Sequence, residues 1–296
     1  MTLHRGRPTI TLEMRTNLFL GRVEMAREIL GLLEQYGGVF LPEEFDVGTK
    51  SERWLPYREN RERALSELTK SDHPGVVARR RGPIKVDYVI DSSRSWMFDH
   101  VSIFVDGRWA SEPNNLKTLL EFAKNLYGVI EASSGYIQND LHETRYDRAE
   151  SQTEGGGLRN EPRFPGSKNH LPGLFWANYF GPEYVDMWGK SFLHRISYVR
   201  IEDLPDGGIV LILSASPLEA QESWYPARKA ELYAYLGYDA FDGRKLPRFR
   251  IDGPWRKKRH ARPLVETGGV LDDVFATDNS GVHSLGIHKG PSSRVE

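Results

Sequence analysis

From Thr9 to Arg15 the chain alternates apolar and polar residues, with Ile10, Leu12 and Met14 set against Thr11, Glu13 and Arg15. Period two predicts a half-buried strand. Phe19, Val23, Ala26, Ile29, Leu30 and Leu33 then recur at helical spacing until Gly37–Gly38 supplies a stop. A charged stretch from Pro56 to Lys70, with Leu65 and Leu68 on one face, predicts a solvent-washed helix with Pro56 near its first turn. Lys85–Asp91 and Asp99–Asp106 return to period two and read as antiparallel strands, and Asp106–Gly107 is a turn signal. Leu116, Leu119, Leu120, Ala123, Leu126 and Ile130 mark another amphipathic helix, opened by Pro113 and Asn114 and followed by a short strand around Tyr136–Ile137.

Residues 141–172 lose this periodicity; they hold a glycine triplet at 155–157 and read as a long irregular loop. Beyond it, Ile196, Tyr198 and Ile201 alternate before Asp206–Gly207–Gly208, and the apolar run Ile209–Leu213 follows, a hairpin whose second strand is buried on both faces or central. Pro226–Gly237 carries a helical stripe of Ala230, Leu232, Tyr233 and Leu236. The predicted fold class is α+β: a mostly antiparallel twisted sheet with amphipathic helices packed on it, in two related strand–helix halves. The predicted organisation is a single domain over 1–252, with halves at roughly 1–140 and 171–252 joined by the loop, and an irregular or partly disordered tail over 253–296.

Composition narrows the chemistry. Forty Lys and Arg against forty-one Asp and Glu leave a formal charge of −1 in 296 residues, so no global field draws the chain to nucleic acid or an anionic membrane. The absence of cysteine removes disulfides, thiolate metal sites and cysteine nucleophiles. Neither a signal-peptide pattern nor a membrane-length apolar run is legible, so a cytoplasmic protein is expected. Phosphate-loop, dinucleotide, nucleophile-elbow and zinc-helix motifs do not occur; "EGGGLRN" at Glu154–Asn160 follows no predicted strand. No catalytic residue, metal ligand or cofactor is assigned. Asp91, Asp99 and His100 sit at strand ends, where acid–base groups gather but hydrated turn residues are commoner. His283 and His288 have no ligand-helix spacing. The basic runs Arg79–Arg81 and Arg256–Arg259 lack the interleaved aromatics of a stacking platform and read as solvated faces.

The densest feature is "GLFWANYFGPEYVDMWGK", Gly173–Lys190. Leu174–Phe180 is apolar on both alternating faces except at Asn178, as in a strand covered on both sides. Gly181–Pro182 breaks it, Pro182 suits the first turn of a helix, and Gly189 ends that helix. Trp176 and Phe180 are assigned to the interior, with Tyr184 and Trp188 packing the helix onto the sheet. So many Trp and Tyr also fit a segment that serves core and interface at once.

"PGLFWANYFGPEYVDMWGKSFL" followed by "LPDGGIVLILSASP" resembles the immunity protein 52 family and its type VI secretion relatives in bacterial polymorphic toxin systems. The resemblance is strongest over Leu171–Pro217 and rests on Trp176, Tyr179, Phe180, Gly181, Pro182, Tyr184, Trp188, Gly189, Gly207 and Gly208. It implies an α+β protein that binds and neutralises a cognate toxin without turnover, and it assigns no single interface residue. Because toxins acting on nucleic acid are basic at their sites, the acidic loop residues Glu143, Asp147, Glu150 and Glu154 are candidate contacts. Two other readings stand beside it: an enzyme assembled from scattered Asp91, Asp99, His100 and His142, and a nucleic-acid-binding component of phage defence.

Overall fold

A computed structural model describes residues 8–46, 54–70, 75–91, 99–140, 173–237 and 240. All of these lie in the compact unit Met1–Ala261. The glycine triplet, the candidate loop carboxylates, His142, the second basic run and the tail histidines lie outside the described residues.

The chain begins with β1 (Thr9–Thr16) and α1 (Val23–Tyr36), then β2 (Glu44–Asp46), β3 (Trp54–Pro56), α2 (Arg61–Leu68), β4 (Gly75–Arg80), β5 (Val86–Asp91) and β6 (Asp99–Asp106). It continues with α3 (Gly107–Ser111), α4 (Pro113–Val129), β7 (Ser134–Asn139) and β8 (Ala177–Phe180). The last elements are α5 (Pro182–Trp188), α6 (Lys190–Leu193), β9 (Arg200–Asp203), β10 (Ile209–Ile212) and α7 (Tyr225–Leu236).

The strands form one ten-stranded sheet in the order β3-β2-β4-β5-β6-β1-β7-β8-β10-β9, and every pairing is antiparallel. The fold is therefore α+β. Strands from before residue 141 and after residue 172 share the sheet, meeting where β7 pairs β8.

Side-chain alternation gives the sheet two differently covered faces. On one, Leu12, Met14, Tyr88, Ile103 and Ile137 join α1 and α4 residues such as Ile29, Leu33, Leu119 and Phe122 in a single core. On the other, Phe180 meets Trp188 of α5 with ring centroids 5.2 Å apart, and the Trp188 indole N–H donates to the Leu236 carbonyl at the end of α7 at 2.8 Å. The aromatic helices thus need a second sheet face to pack on. β1, predicted half-buried, is buried along its length apart from Thr9.

Other expectations shift for local reasons. Pro56 ends β3, and the helix expected there starts only at Arg61. Asp106–Gly107 makes no hairpin turn: the Asp106 side chain accepts the Arg108 amide at 2.8 Å and caps α3. The strand expected from Leu174 begins at Ala177, because the Asn178 amide bonds both the N–H and the carbonyl of Phe175 at 2.8 Å and folds the approach onto itself. Ile196 and Tyr198 precede β9, which starts at Arg200. Among the described residues, no helix is long and apolar enough to cross a membrane.

Candidate functional site

The motif residues fall where strand, break and helix geometry require. Trp176, Tyr179, Phe180, Tyr184 and Trp188 are all buried. Gly181 precedes Pro182 at the start of α5, and Gly189 ends the helix with φ 86°. Gly207 takes φ 94° in the β9–β10 turn. Next to it, a Cβ on Gly208 would lie 2.7 Å from the Phe180 carbonyl oxygen and 2.9 Å from the Tyr127 hydroxyl. Tyr127 of α4 donates to Asp206 Oδ2 at 2.7 Å, while Asp206 Oδ1 accepts the Gly208 amide at 2.9 Å. The turn is thereby bolted to α4. Burial and this hydrogen bond to Asp206 push the Tyr127 phenol above its usual range.

A polar cluster that periodicity did not single out lies at the centre of the sheet. Cross-strand register lines up Val89, Ser102, Glu13, Tyr136, Asn178 and Leu211 in one row. The adjacent row on the same face runs Asp91, His100, Arg15, Ser134 and Phe180. Arg15 Nε donates to Glu13 Oε1 at 2.6 Å. The Tyr136 hydroxyl donates to Glu13 Oε2 at 2.8 Å, and Phe175 stacks on the Tyr136 ring at 4.1 Å. Burial pushes the Glu13 carboxyl up, but Arg15, His100 and the Tyr136 hydroxyl outweigh it and hold it below the usual carboxylate range. Both Glu13 oxygens are engaged within the scaffold, which makes the cluster a cross-brace between strands. Its signal in the sequence was present: Glu13 and Arg15 alternate with residues of the core, and a strand in mid-sheet turns such a pair inward.

The scattered candidates separate along the same alternation. Asp91 and His100 are register partners, whereas Asp99 faces the other way and accepts the Leu20 amide at 2.8 Å. Arg79 pairs with Glu44 at 2.9 Å and lies 3.5 Å above the Trp54 ring, Arg81 pairs with Glu44 at 3.0 Å, and Arg80 reaches Glu43 at 3.4 Å. That basic run is charge-matched by β2 and the residue before it. Among the described residues, no group of His, Asp and Glu is arranged to hold a metal ion.

A cleft of about 740 Å³ opens between α1, the C-terminal end of α4, the β8–α5 break and the β9–β10 turn. Leu32, Tyr127, Val129, Pro182 and Pro205 give it apolar walls, and Lys124, Glu131, Glu183 and Asp206 give it charge. Lys124 is ion-paired with Glu202 of β9.

These elements define an α+β protein with one antiparallel sheet faced by helices on both sides. No family model matches the chain, and no curated protein matches it. Among solved structures, the Pseudomonas aeruginosa T6SS protein PA0821 aligns at 14% sequence identity with a TM-score of 0.49, over 77% of this chain and 71% of that one.

Proposed function

We propose that this chain is a non-catalytic immunity protein that binds a cognate bacterial toxin in the cytoplasm and neutralises it by occlusion. The observation that carries the reading is the segment Leu171–Pro217, which resembles the immunity protein 52 family. Its β8, glycine–proline break, α5 and Gly207–Gly208 hairpin follow one another in the order that the resemblance implies. Further support comes from polar groups engaged within the scaffold: the candidate Asp99 holds a backbone amide, the basic run Arg79–Arg81 is matched by glutamates, and the buried Glu13 is bonded within the sheet. Glu143, Asp147, Glu150 and Glu154, which lie outside the described residues, are proposed to contribute acidic contacts to a basic toxin.

Co-expression with a candidate secreted toxin, sought among the genes that neighbour this one, tests the reading. Growth rescue together with a purified complex is the expected outcome; a toxin that still kills and does not bind would reject immunity. Within that complex, deleting residues 143–158 should weaken binding and leave thermal unfolding nearly unchanged, and undiminished affinity would remove the loop from the interface.

A further inference from the structure

We infer that the cleft between α4, the β8–α5 break and the β9–β10 turn is the docking groove for a lysine or arginine side chain presented by the toxin, an inference that rests on the immunity reading. Two of its walls, Gly181–Pro182 and the turn at Pro205–Asp206, belong to the segment that carries the resemblance. The groove has apolar wall residues, Leu32, Tyr127, Val129, Pro182 and Pro205, beside the carboxylates Glu131, Glu183 and Asp206, a combination that suits the long aliphatic stem and charged head of a basic residue.

Charge complementarity selects that occupant. Glu131 and Glu183 line the groove and are exposed, and their side-chain carboxylates have no hydrogen-bond or ion-pair partner among the described residues. Asp206 adds a third carboxylate, fixed in place by Tyr127 and the Gly208 amide. The groove's cation, Lys124, is already matched by Glu202. A basic head group therefore meets an unbalanced negative rim that the scaffold holds ready. Gly128 leaves the approach open: it lines the groove, and a Cβ built there meets nothing within 4 Å.

The test uses the full chain and the toxin that gives the wild-type complex, with affinity read by calorimetry and folding by thermal melting. Glu131→Gln with Glu183→Gln should raise Kd about tenfold and flatten its salt dependence; Glu131→Lys with Glu183→Lys should raise it further. Gly128→Phe should block the groove sterically, and its melting temperature should hold or rise, because a helical glycine is replaced where there is space. Exposed Glu222 serves as the control, and Glu222→Gln should bind as wild type. If the charge variants and Gly128→Phe all bind within about twofold of wild type, the groove is not the docking site, while the immunity reading survives. If the wild-type chain neither protects nor binds, the immunity reading fails and the groove assignment goes with it.

Discussion

Glu131 holds a backbone conformation that glycine would hold at less cost. Its φ is 46°, and it closes α4 in a Schellman arrangement: its N–H bonds the Gly128 carbonyl at 3.2 Å, and the Ala132 N–H bonds the Tyr127 carbonyl at 2.9 Å. Glu131→Gly should therefore stabilise the fold by about 1 kcal/mol, measured by urea denaturation, while removing a rim carboxylate; a loss of stability would mean that the side chain has a structural role. Glu13 is the opposite case. Glu13→Gln leaves the buried Arg15 guanidinium uncompensated and should cost about 3–5 kcal/mol, whereas Tyr136→Phe, which removes one hydrogen bond to the carboxylate, should cost about 1–3 kcal/mol. The acid dependence follows from the lowered Glu13 pKa. A carboxyl with a depressed folded pKa contributes stability above its unfolded value, about 4.3, and loses that contribution as pH falls toward the folded value. Glu13→Leu with Arg15→Leu should lose that part of the acid sensitivity, and an unchanged acid profile would place its origin elsewhere. The alternation in "TITLEMRT" revealed the strand but not its second covered face, because period two reads the same whether the polar side meets water or a bonded partner.

The β9–β10 hairpin concentrates what its motif glycines do. Gly207 supplies a positive φ, and Gly208 lets the turn approach β8 more closely than a methyl group allows. Gly208→Ala should cost about 1–3 kcal/mol through the forced separation. Faster amide exchange in β9 and β10 than in β1 would locate the damage, and uniform exchange would argue against a local hairpin effect. Long periodic elements such as α1, α4, β5 and β6 were legible because each carries several turns or repeats of its own pattern, whereas this hairpin was legible from its Asp206–Gly207–Gly208 turn and the apolar run after it. β2 and β3 were not, at three residues each, since so short a stretch displays no period. β4 hid behind its arginines: its end belongs to the basic run Arg79–Arg81, and what makes "GVVARR" a strand is its backbone pairing with β2 and β5. Asp106 gave a true local signal with two outcomes, since Asp both turns and caps; the helical residues after it decided for the cap. The groove was the least legible feature, because it is assembled from separated segments of the chain that no spacing rule connects.

At the scale of the molecule, the N-terminal strand sits between β6 and β7 in mid-sheet, so the fold closes only when distant segments have arrived, and its phenols are trapped on both faces of that sheet. Tyr88 and Tyr179 lie on the α1–α4 side, and Tyr136 lies on the side of Glu13. Burial is the first cause that pushes each of them above its usual range. An acid with a raised folded pKa contributes stability that is complete below its unfolded value, about 10 for tyrosine, and is lost as pH rises beyond it. Each such group contributes a slope of about 1.4 kcal/mol per pH unit, and the three together about 4 kcal/mol. Against a typical stability of 5–15 kcal/mol, the fold should unfold cooperatively within about one to four units above pH 10. Helical ellipticity and the late part of the tyrosinate absorbance should then change in a single transition. Tyr179 is the most informative residue for this test, because its buried hydroxyl has no hydrogen-bond partner among the described residues. Tyr179→Phe removes an unsatisfied polar group as well as a titrating one, so it should leave neutral stability unchanged or improved and move the alkaline midpoint upward. An unmoved midpoint would show that Tyr179 is not among the groups driving the transition, and tyrosinate forming in full before ellipticity falls would show that the sheet does not hold its phenols closed.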